Sequence, residues 1–331
     1  MVAHPGVTRT PMPRLFRLLL LTLGCLAGAA AAAQPLVTPA QLQTLLQQDP
    51  GLRLIDVREG PAYDMQHLPG AVSAPYGRWR LVDENMGQPP TMADLTALVQ
   101  ELGLTPEVHA VIVYTGIDAT DFGGAARTYW TLKSLGMTRL SILNGGLAAW
   151  KSAGGPVSDQ RATAPRSSWT PVFDGRWTAT RDEVRASLAE PQVQRLDARP
   201  GPYFQGRIVH ENARARGTLP GAVHADSEAF FELGSAVLMT PEELADEADA
   251  LGIEPDAPVI AFCNAGHWSA TDWFVLSEVL QRPGVRMYPG SMIDWTRAPE
   301  PLPMIHEPGR WDQLRYALLS WSHRNLGTQA P

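Results

Sequence analysis

The chain has 331 residues, and since a domain usually has about 150 residues, this length predicts two domains. Hydrophobic residues make up 44% of the chain and charged residues 18%, which excludes wholesale disorder. There are 27 basic and 34 acidic residues and no basic run, so the composition argues against binding of nucleic acid or of an anionic membrane. Two cysteines are too few for a disulfide scaffold or a multi-cysteine zinc site.

Residues 1–33 have the parts of a secretory signal peptide. An acid-free start that contains arginine precedes the apolar stretch Leu15–Leu26, and Ala29–Ala33 supplies the small residues of a cleavage site. The apolar stretch is too short for a stable transmembrane segment, so we expect an exported protein, periplasmic if the host is a Gram-negative bacterium. Cys25 leaves a lipid anchor as an alternative, although Thr22 stands where a lipoprotein site usually has leucine.

Helices and strands alternate along the rest of the chain. In the first half, the hydrophobic periodicity and the capping residues predict helix Ala40–Gln48, strand Leu52–Val57, helix Thr91–Leu102, strand Val111–Tyr114, helix Gly123–Leu135 and strand Leu140–Leu143. In the second half, the same signals predict helix Thr240–Leu251, strand Val259–Phe262, helix Ser269–Gln281 and strand Val285–Tyr288. This alternation indicates an α/β fold in which helices flank a mainly parallel sheet.

The sequence of the first half recurs in the second half, in the same order. Four segments pair with a later copy: Leu54–Arg58 with Arg195–Arg199, His67–Val72 with Thr218–Val223, Val111–Tyr114 with Val259–Phe262, and Gly145–Trp150 with Gly290–Trp295. A repeat this long indicates a duplicated domain rather than a solenoid. We therefore predict a first domain at 34–155, a linker at 156–175 that is rich in Pro, Ser and Gly, a second domain at 176–299, and a tail at 300–331.

The tail has one apolar face at helical spacing. Trp311, Leu314, Leu318 and Trp321 recur every three or four residues. We expect this helix to pack on its own domain rather than on a partner.

Cys263 is the single cysteine that remains after removal of the first 33 residues, and in an oxidising compartment it has no partner within its own chain. It follows strand Val259–Phe262 and precedes a helix, which is where open α/β sheets place their sites. A tight loop there turns several backbone N–H groups toward the sulfur, and these donors, with the helix dipole, stabilise a thiolate or an anionic substrate. From this placement alone, a reactive cysteine and a buried inert one are equally open.

Several of these features together resemble one known family. They are the repeated Asp-x-Arg strand, the (His/Thr)-Leu-Pro-Gly-Ala turn, the strand that ends in Cys-x-x-Gly, and the Gly-Gly or Gly-Ser segment with its tryptophan. In this order, twice over, they resemble the tandem-domain rhodaneses, a family of thiosulfate and 3-mercaptopyruvate sulfurtransferases. The resemblance covers residues 36–299. It implies two rhodanese-like domains, a catalytic Cys263, and a catalytically silent first copy, in which Thr115 follows the corresponding strand.

The resemblance implies a double displacement without a metal or an organic cofactor. The Cys263 thiolate would take the outer sulfur of a small anionic donor, and a thiol or cyanide would then remove it from the persulfide. The residues implied to bind the substrate are those of the loop: Asn264, Ala265, Gly266, His267, Trp268 and Ser269.

The sequence departs from the family where charge for the substrate is expected. Asn264-Ala265 matches neither the basic residues of thiosulfate-preferring members nor the Gly-Ser pair of mercaptopyruvate-preferring members, and Pro202 replaces an arginine that contacts the substrate anion. Candidates to replace that charge are His267 and three arginines, with a solvated loop as the alternative for the arginines. The three arginines are Arg207, Arg214 and Arg216.

Other conspicuous residues are predicted to be structural. Because both copies have them, the Asp-x-Arg pairs are expected to be ion pairs that support the fold, and the two repeated tryptophans are expected to lie in the core. These residues are Asp56 and Arg58, Asp197 and Arg199, and Trp150 and Trp295.

Three other functions compete with this interpretation. A cysteine phosphatase needs an arginine six residues after the cysteine, and Ser269 stands there. A metal site built on Cys263 and His267 has too few ligands for structural zinc. A sulfur-carrier or binding protein with little turnover of small donors remains open.

Overall fold

The computed structural model describes residues 1–3, 33–81 and 86–326. The chain divides into two compact units, Met1–Ala32 and Ala33–Pro331. The expected signal peptide, with Cys25, lies outside the described residues except for its first three residues and Ala33. Over the part that is described, no helix is both long and apolar enough to cross a bilayer.

The first domain is a five-stranded, fully parallel sheet with helices on its faces. Its elements are β1 (Leu36–Val37), α1 (Pro39–Gln48), β2 (Arg53–Asp56), α2 (Gly60–Met65), β3 (Val72–Ser73), α3 (Met92–Glu101), β4 (Ala110–Val113), α4 (Ala119–Ser134), β5 (Leu140–Leu143) and α5 (Gly146–Ser152). The strand order is β1-β5-β4-β2-β3. The central strands β4 and β5 are buried along their whole length, which is why they have continuous apolar sequences.

The second domain repeats this architecture with four parallel strands. Its elements, with the tail helix, are α6 (Arg181–Ser187), β6 (Gln194–Asp197), α7 (Gly201–Phe204), β7 (Ala222–His224), α8 (Pro241–Ala250), β8 (Val259–Phe262), α9 (Trp268–Trp273), β9 (Val285–Met287), α10 (Ser291–Thr296) and α11 (Arg310–Leu326). The strand order is β7-β6-β8-β9. The predicted α/β fold of two similar domains with parallel sheets is confirmed.

Local capping explains where the helices begin. Thr240 accepts the N–H of Glu243, and the Glu243 carboxylate in turn accepts the N–H of Thr240, so α8 has the predicted capping box. Helix α4 begins at Ala119, earlier than the predicted Gly123, because Asp118 caps it by accepting the N–H of Asp121.

The helix predicted over Ser269–Gln281 has two parts. Helix α9 ends at Trp273, and π-helical turns continue it over Phe274–Val279. The hydrophobic pattern did not separate these parts, because apolar residues bury one face of either kind of helix.

The two domains share one hydrophobic core. Helix α4 of the first domain lies against α9 of the second, and the ring of Phe122 packs edge-on against Phe231 and Phe274, with ring centroids 5.4 and 5.5 Å apart. One cluster of buried side chains accordingly includes residues of both sheets. Trp150 and Trp295 are each 1% exposed, which confirms their predicted place in the core.

The expected packing of the tail helix is wrong. The apolar residues predicted to face the domain are more than half exposed in α11: Trp311 84%, Leu314 53%, Leu318 59% and Trp321 54%. In the segment before α11, Leu302 and Met304 do pack against the core of the second domain. Helix α11 instead places the Tyr316 ring 6.0 Å from the guanidinium of Arg216.

Candidate functional site

Cys263 is the first residue after β8, in the middle of the second sheet. Its N–H donates to Ser291 Oγ at 3.0 Å, and its carbonyl accepts the N–H of Met292 at 3.1 Å. The loop after β8 is therefore anchored to the start of α10. The register of the neighbouring strand pairs Asp197 with Phe262, which places the Asp-x-Arg segment beside the loop.

Two donors reach the sulfur of Cys263. The N–H of His267 lies 3.3 Å from Sγ and the hydroxyl of Ser269 lies 3.5 Å from it. Sequence analysis predicted several amides around the sulfur, and within the described residues one amide and one hydroxyl take that place. Gly266 allows this turn because its φ of +71° lies in the left-handed region. Both contacts favour negative charge on the sulfur.

Cys263 has no exposed surface, and the loop that follows it contacts the first domain. His267 and Trp268, from the loop, are held by Thr120 at the start of α4. His267 Nε2 lies 2.8 Å from the Thr120 carbonyl, and Trp268 Nε1 donates to Thr120 Oγ1 at 3.3 Å. A substrate must displace some of these contacts to reach the sulfur.

His267 contacts the first domain rather than open solvent. A carbonyl oxygen accepts hydrogen bonds only, so Nε2 carries the proton that faces Thr120, and Nδ1 accepts the hydroxyl of Tyr76 at 3.0 Å. Burial lowers the pKa of His267 to about 4, so the ring is neutral at neutral pH. The expectation that His267 supplies positive charge is therefore wrong, and both ring nitrogens contact groups of the first domain.

The other loop residues are buried beside Cys263 or contact neighbouring elements. Asn264 and Ala265 are each 5% exposed, and the Asn264 carbonyl accepts the N–H of Ile293 at 3.1 Å. Gly266 has no side chain, and a Cβ at this position would collide with the guanidinium of Arg127 from α4. Its carbonyl accepts Arg127 Nη1 at 3.3 Å.

The Asp-x-Arg pair of the second domain is a buried ion pair, as predicted. Arg199 Nη2 lies 2.6 Å from Asp197 Oδ2, and both side chains are almost fully buried. Thr218 Oγ1 also donates to Asp197 Oδ2 at 2.6 Å. Arg199 Nη1 reaches Asn264 Oδ1 at 3.5 Å, so the pair also supports the loop. Asp56 and Arg58 make the corresponding pair in the first domain at 2.7 Å.

The three arginines proposed for the substrate anion do not contact the loop in the described structure. Arg216 donates to the carbonyl of Arg207, and Arg207 is exposed. Arg214 lies with Asp294 at a cavity of about 220 Å³. These contacts favour the solvated-loop alternative for all three residues.

The corresponding loop of the first domain already holds a carboxylate. The N–H groups of Gly116 and Ile117, just after Thr115, donate to Asp121 Oδ2 at 2.7 and 3.2 Å. At the position of Cys263, the first domain has Thr115. The loop amides beside it are already bonded to the Asp121 carboxylate.

Sequence reasoning predicted that the first domain is a structural partner that forms a wall of the cleft, but it did not identify the residues that the domain contributes. Tyr76, Thr120 and Arg127 all reach the loop of Cys263, and each is far from it in sequence. A signal was available for Arg127 alone, since a charged residue within the apolar helix Gly123–Leu135 indicates a buried cation. Asp272, fully buried in α9, was also missed. In the described residues, no cluster of three or more His, Cys, Asp or Glu could hold a metal ion.

Comparison with protein families and curated proteins gives matches to both halves of the chain. The model of the rhodanese-like domain matches residues 38–153 and again 180–298. A thiosulfate sulfurtransferase of Azotobacter vinelandii is 32% identical over 282 residues, which are 81% of this chain and 97% of the relative. A thiosulfate sulfurtransferase of Pseudomonas aeruginosa is 32% identical over 262 residues, covering 76% of this chain and 90% of the relative.

Solved structures share the fold. The 3-mercaptopyruvate sulfotransferase SseA of Escherichia coli superposes with a TM-score of 0.69 at 24% identity, covering 78% of this chain and 99% of that protein. The anaerobic ergothioneine biosynthesis enzyme of Chlorobium limicola superposes with a TM-score of 0.70 at 20% identity, covering 81% of this chain and 69% of that one.

Proposed function

The chain is a member of the rhodanese family and a sulfurtransferase, and from this premise we propose that Cys263 carries a sulfane sulfur from thiosulfate or 3-mercaptopyruvate to a thiol or cyanide. The observation that supports this assignment is the pair of donors, His267 N–H and Ser269 Oγ, that lie 3.3 and 3.5 Å from the sulfur at the end of β8. Both can hold negative charge on that atom before and after it accepts sulfur.

The reaction proceeds in two displacements. The Cys263 thiolate attacks the outer sulfur of thiosulfate, the S–S bond of the donor breaks, and its electron pair leaves with sulfite. Cys263 is then a persulfide. An acceptor thiolate or cyanide attacks the outer sulfur of the persulfide, and the Cys263 thiolate leaves with the electron pair of the broken bond. Ser269 and the His267 amide serve both steps, since each step has an anionic sulfur at the same place.

Replacement of the sulfur tests this assignment. We expect Cys263→Ser to lose turnover of thiosulfate and of 3-mercaptopyruvate by at least about 10³-fold, because a hydroxyl is a far weaker nucleophile than a thiolate at neutral pH. Thr115→Ala is the matched control in the first domain and should keep nearly full activity. Peptide mass spectrometry after exposure to each donor should find one added sulfur at Cys263 and none at Cys25.

The carrier alternative gives a different result. A stable persulfide on Cys263 without steady-state release of sulfite or pyruvate would assign the protein as a sulfur carrier. Activity that persists in Cys263→Ser, or that is lost in a folded Thr115→Ala variant, would contradict the assignment of the site to the second domain.

We also propose that the protein is exported after removal of residues 1–33. The proposal rests on the short apolar stretch Leu15–Leu26 and the small residues Ala29–Ala33. Mass spectrometry of the protein from a Gram-negative host should find a periplasmic chain that begins at Gln34. A chain that begins at a lipidated Cys25 would instead support the anchor, and a cytoplasmic chain with an intact N-terminus would contradict export.

A further inference from the structure

Arg127 is a cation that α4 buries completely against the loop of Cys263. Its side chain is 0% exposed. Nη2 donates to the carbonyl of Gly87 at 2.5 Å, and Nη1 donates to the carbonyl of Gly266 at 3.3 Å. The guanidinium also lies 4.6 Å from the ring centroid of Trp130, and Nε has no hydrogen-bond partner. Arg127 thus contacts the loop at Gly266, which follows Cys263 by three residues in the chain.

No carboxylate among the described residues forms an ion pair with Arg127. This separates it from Arg58 and Arg199, whose guanidinium groups lie 2.7 and 2.6 Å from an aspartate. A buried cation without a counterion destabilises the folded protein, so an anion beside Arg127 would be strongly stabilised.

Negative charge on Tyr76 or on Cys263, when either group is ionised, favours the charged form of Arg127. Burial lowers the pKa of Arg127 to about 10, so the guanidinium is still charged at neutral pH. Arg80 adds a second cation, 4.9 Å from the ring centroid of Tyr76. Tyr76 is a neutral phenol at this pH, since burial raises its pKa. The remaining partner for the Arg127 charge is the sulfur of Cys263.

We propose that Arg127 of the first domain is the counterion for negative charge on Cys263, whether that charge belongs to the thiolate, the persulfide or a bound anionic donor. Arg127 is a positioning residue: it acts through the field at the sulfur and through its hold on Gly266. The first domain, which has no cysteine of its own, thereby supplies the positive charge of the site. The proposal rests on Cys263 as the sulfur carrier.

Alkylation of Cys263 measures this charge without requiring sulfur transfer. Iodoacetate is an anion and iodoacetamide is its neutral counterpart. The rate constant for iodoacetate divided by that for iodoacetamide therefore reports the electrostatic potential at the sulfur. In the full-length protein, peptide mass spectrometry separates Cys263 from Cys25. We expect the ratio for Cys263 to exceed the ratio for glutathione, and to fall about tenfold in Arg127→Met, since loss of one nearby charge at low dielectric amounts to at least ~1.4 kcal/mol. Arg127→Lys should stay within about threefold of the wild type, because it keeps the charge.

Arg195→Met is the matched control. Arg195 is also buried and is also held by backbone carbonyls, those of Ser187, Val193 and Pro220. Burial lowers its pKa, and neither of the acidic groups that act on Arg127 shifts it. Its loss should leave the ratio unchanged. If Arg127→Met does not fold, Arg127→Gln keeps a donor for Gly87 or Gly266 and should show the same fall.

Three results would overturn the proposal: an unchanged ratio in a folded Arg127→Met or Arg127→Gln variant, a wild-type ratio no higher than that of glutathione, or a Cys263 that neither reagent reaches. A protein that shows the expected ratios but turns over neither thiosulfate nor 3-mercaptopyruvate would refute the proposed sulfur transfer and leave the role of Arg127 intact.

Discussion

Asp272 is a carboxyl group buried where no hydrogen-bond donor reaches it. It is fully buried on α9, and neither carboxyl oxygen has a partner in the described part of the chain. Burial raises its pKa well above the ordinary aspartate range, and repulsion from Asp226, Cys263 and Asp197 raises it further. The raised pKa favours the protonated, uncharged form of Asp272 in the folded protein.

This protonation predicts an unusual pH dependence of stability. The unfolded chain gives up the Asp272 proton near pH 3.9, so above about that pH folding must take up a proton and stability falls as pH rises. We expect Asp272→Asn, which carries no charge in either state, to raise the Tm by about 2–4 °C at pH 7.5, corresponding to about 1 kcal/mol. The gain should shrink toward pH 4. Thermal unfolding followed by circular dichroism measures both.

The exposed residue Asp246, on α8, supplies the control. Asp246→Asn should leave the Tm nearly unchanged across the same range. A gain in Asp272→Asn that stays constant with pH would show that Asp272 is ionised in the folded protein.

Helix α4 presents two adjacent glycines to the site, and each faces a different side chain. A Cβ at Gly123 would lie 2.9 Å from His267 Nε2, closer than side chains tolerate, whereas a Cβ at Gly124 would lie 3.5 Å from the Tyr76 ring, an ordinary contact. The absence of a side chain at Gly123 therefore gives the His267 ring its place over Thr120. The helix and the loop after Cys263 approach each other closely at this position.

Gly123→Ala should displace His267 and loosen the cover over the sulfur. A lost hydrogen bond to Thr120 is worth about 1 kcal/mol, so we expect iodoacetamide to alkylate Cys263 about fivefold faster. Gly124→Ala is the matched control on the same helix and should leave this rate unchanged. Equal rates in both variants and the wild type would mean that His267 does not limit access to Cys263.

At the scale of the whole molecule, the two domains behave as one body from residue 33 onward. Phe122 is fully buried between Tyr114 of its own domain and Phe231 and Phe274 of the other. An interface this apolar resembles the interior of a single domain more than a contact between mobile domains. The loop of Cys263 depends on it, since α4 supplies Thr120 and Arg127 to that loop.

Phe122→Ala tests this shared core. We expect a loss of about 3–5 kcal/mol in the free energy of unfolding, because a large ring is removed from a site with little room to collapse. Guanidinium unfolding followed by circular dichroism should still show one transition. Leu233→Ala, at a fully exposed position, should change neither the midpoint nor the slope. Two separate transitions in the wild type would contradict the shared core.

Most of the fold could be read from local patterns. The strands β4, β5 and β8 are short apolar runs, the Thr240 cap starts α8, and the repeat of four segments indicates two similar domains. Each of these signals depends on a few adjacent residues. The place of Cys263 at the end of a strand was determined in the same way, as were the Asp197–Arg199 ion pair and the two core tryptophans.

The tertiary structure alone decided which groups surround the sulfur. Tyr76, Thr120 and Arg127 come to the loop from more than 130 residues away in sequence. The sequence could indicate that Arg127 is a buried cation, but it carries no signal for which loop these residues contact. The same holds for the lowered pKa of His267 and the raised pKa of Asp272, because both shifts follow from burial and not from residue type. The sequence alone determined the position of Cys263 and its loop. The packing of one domain on the other determined which charged and polar groups surround the sulfur, because it brings residues that are distant in sequence to the loop.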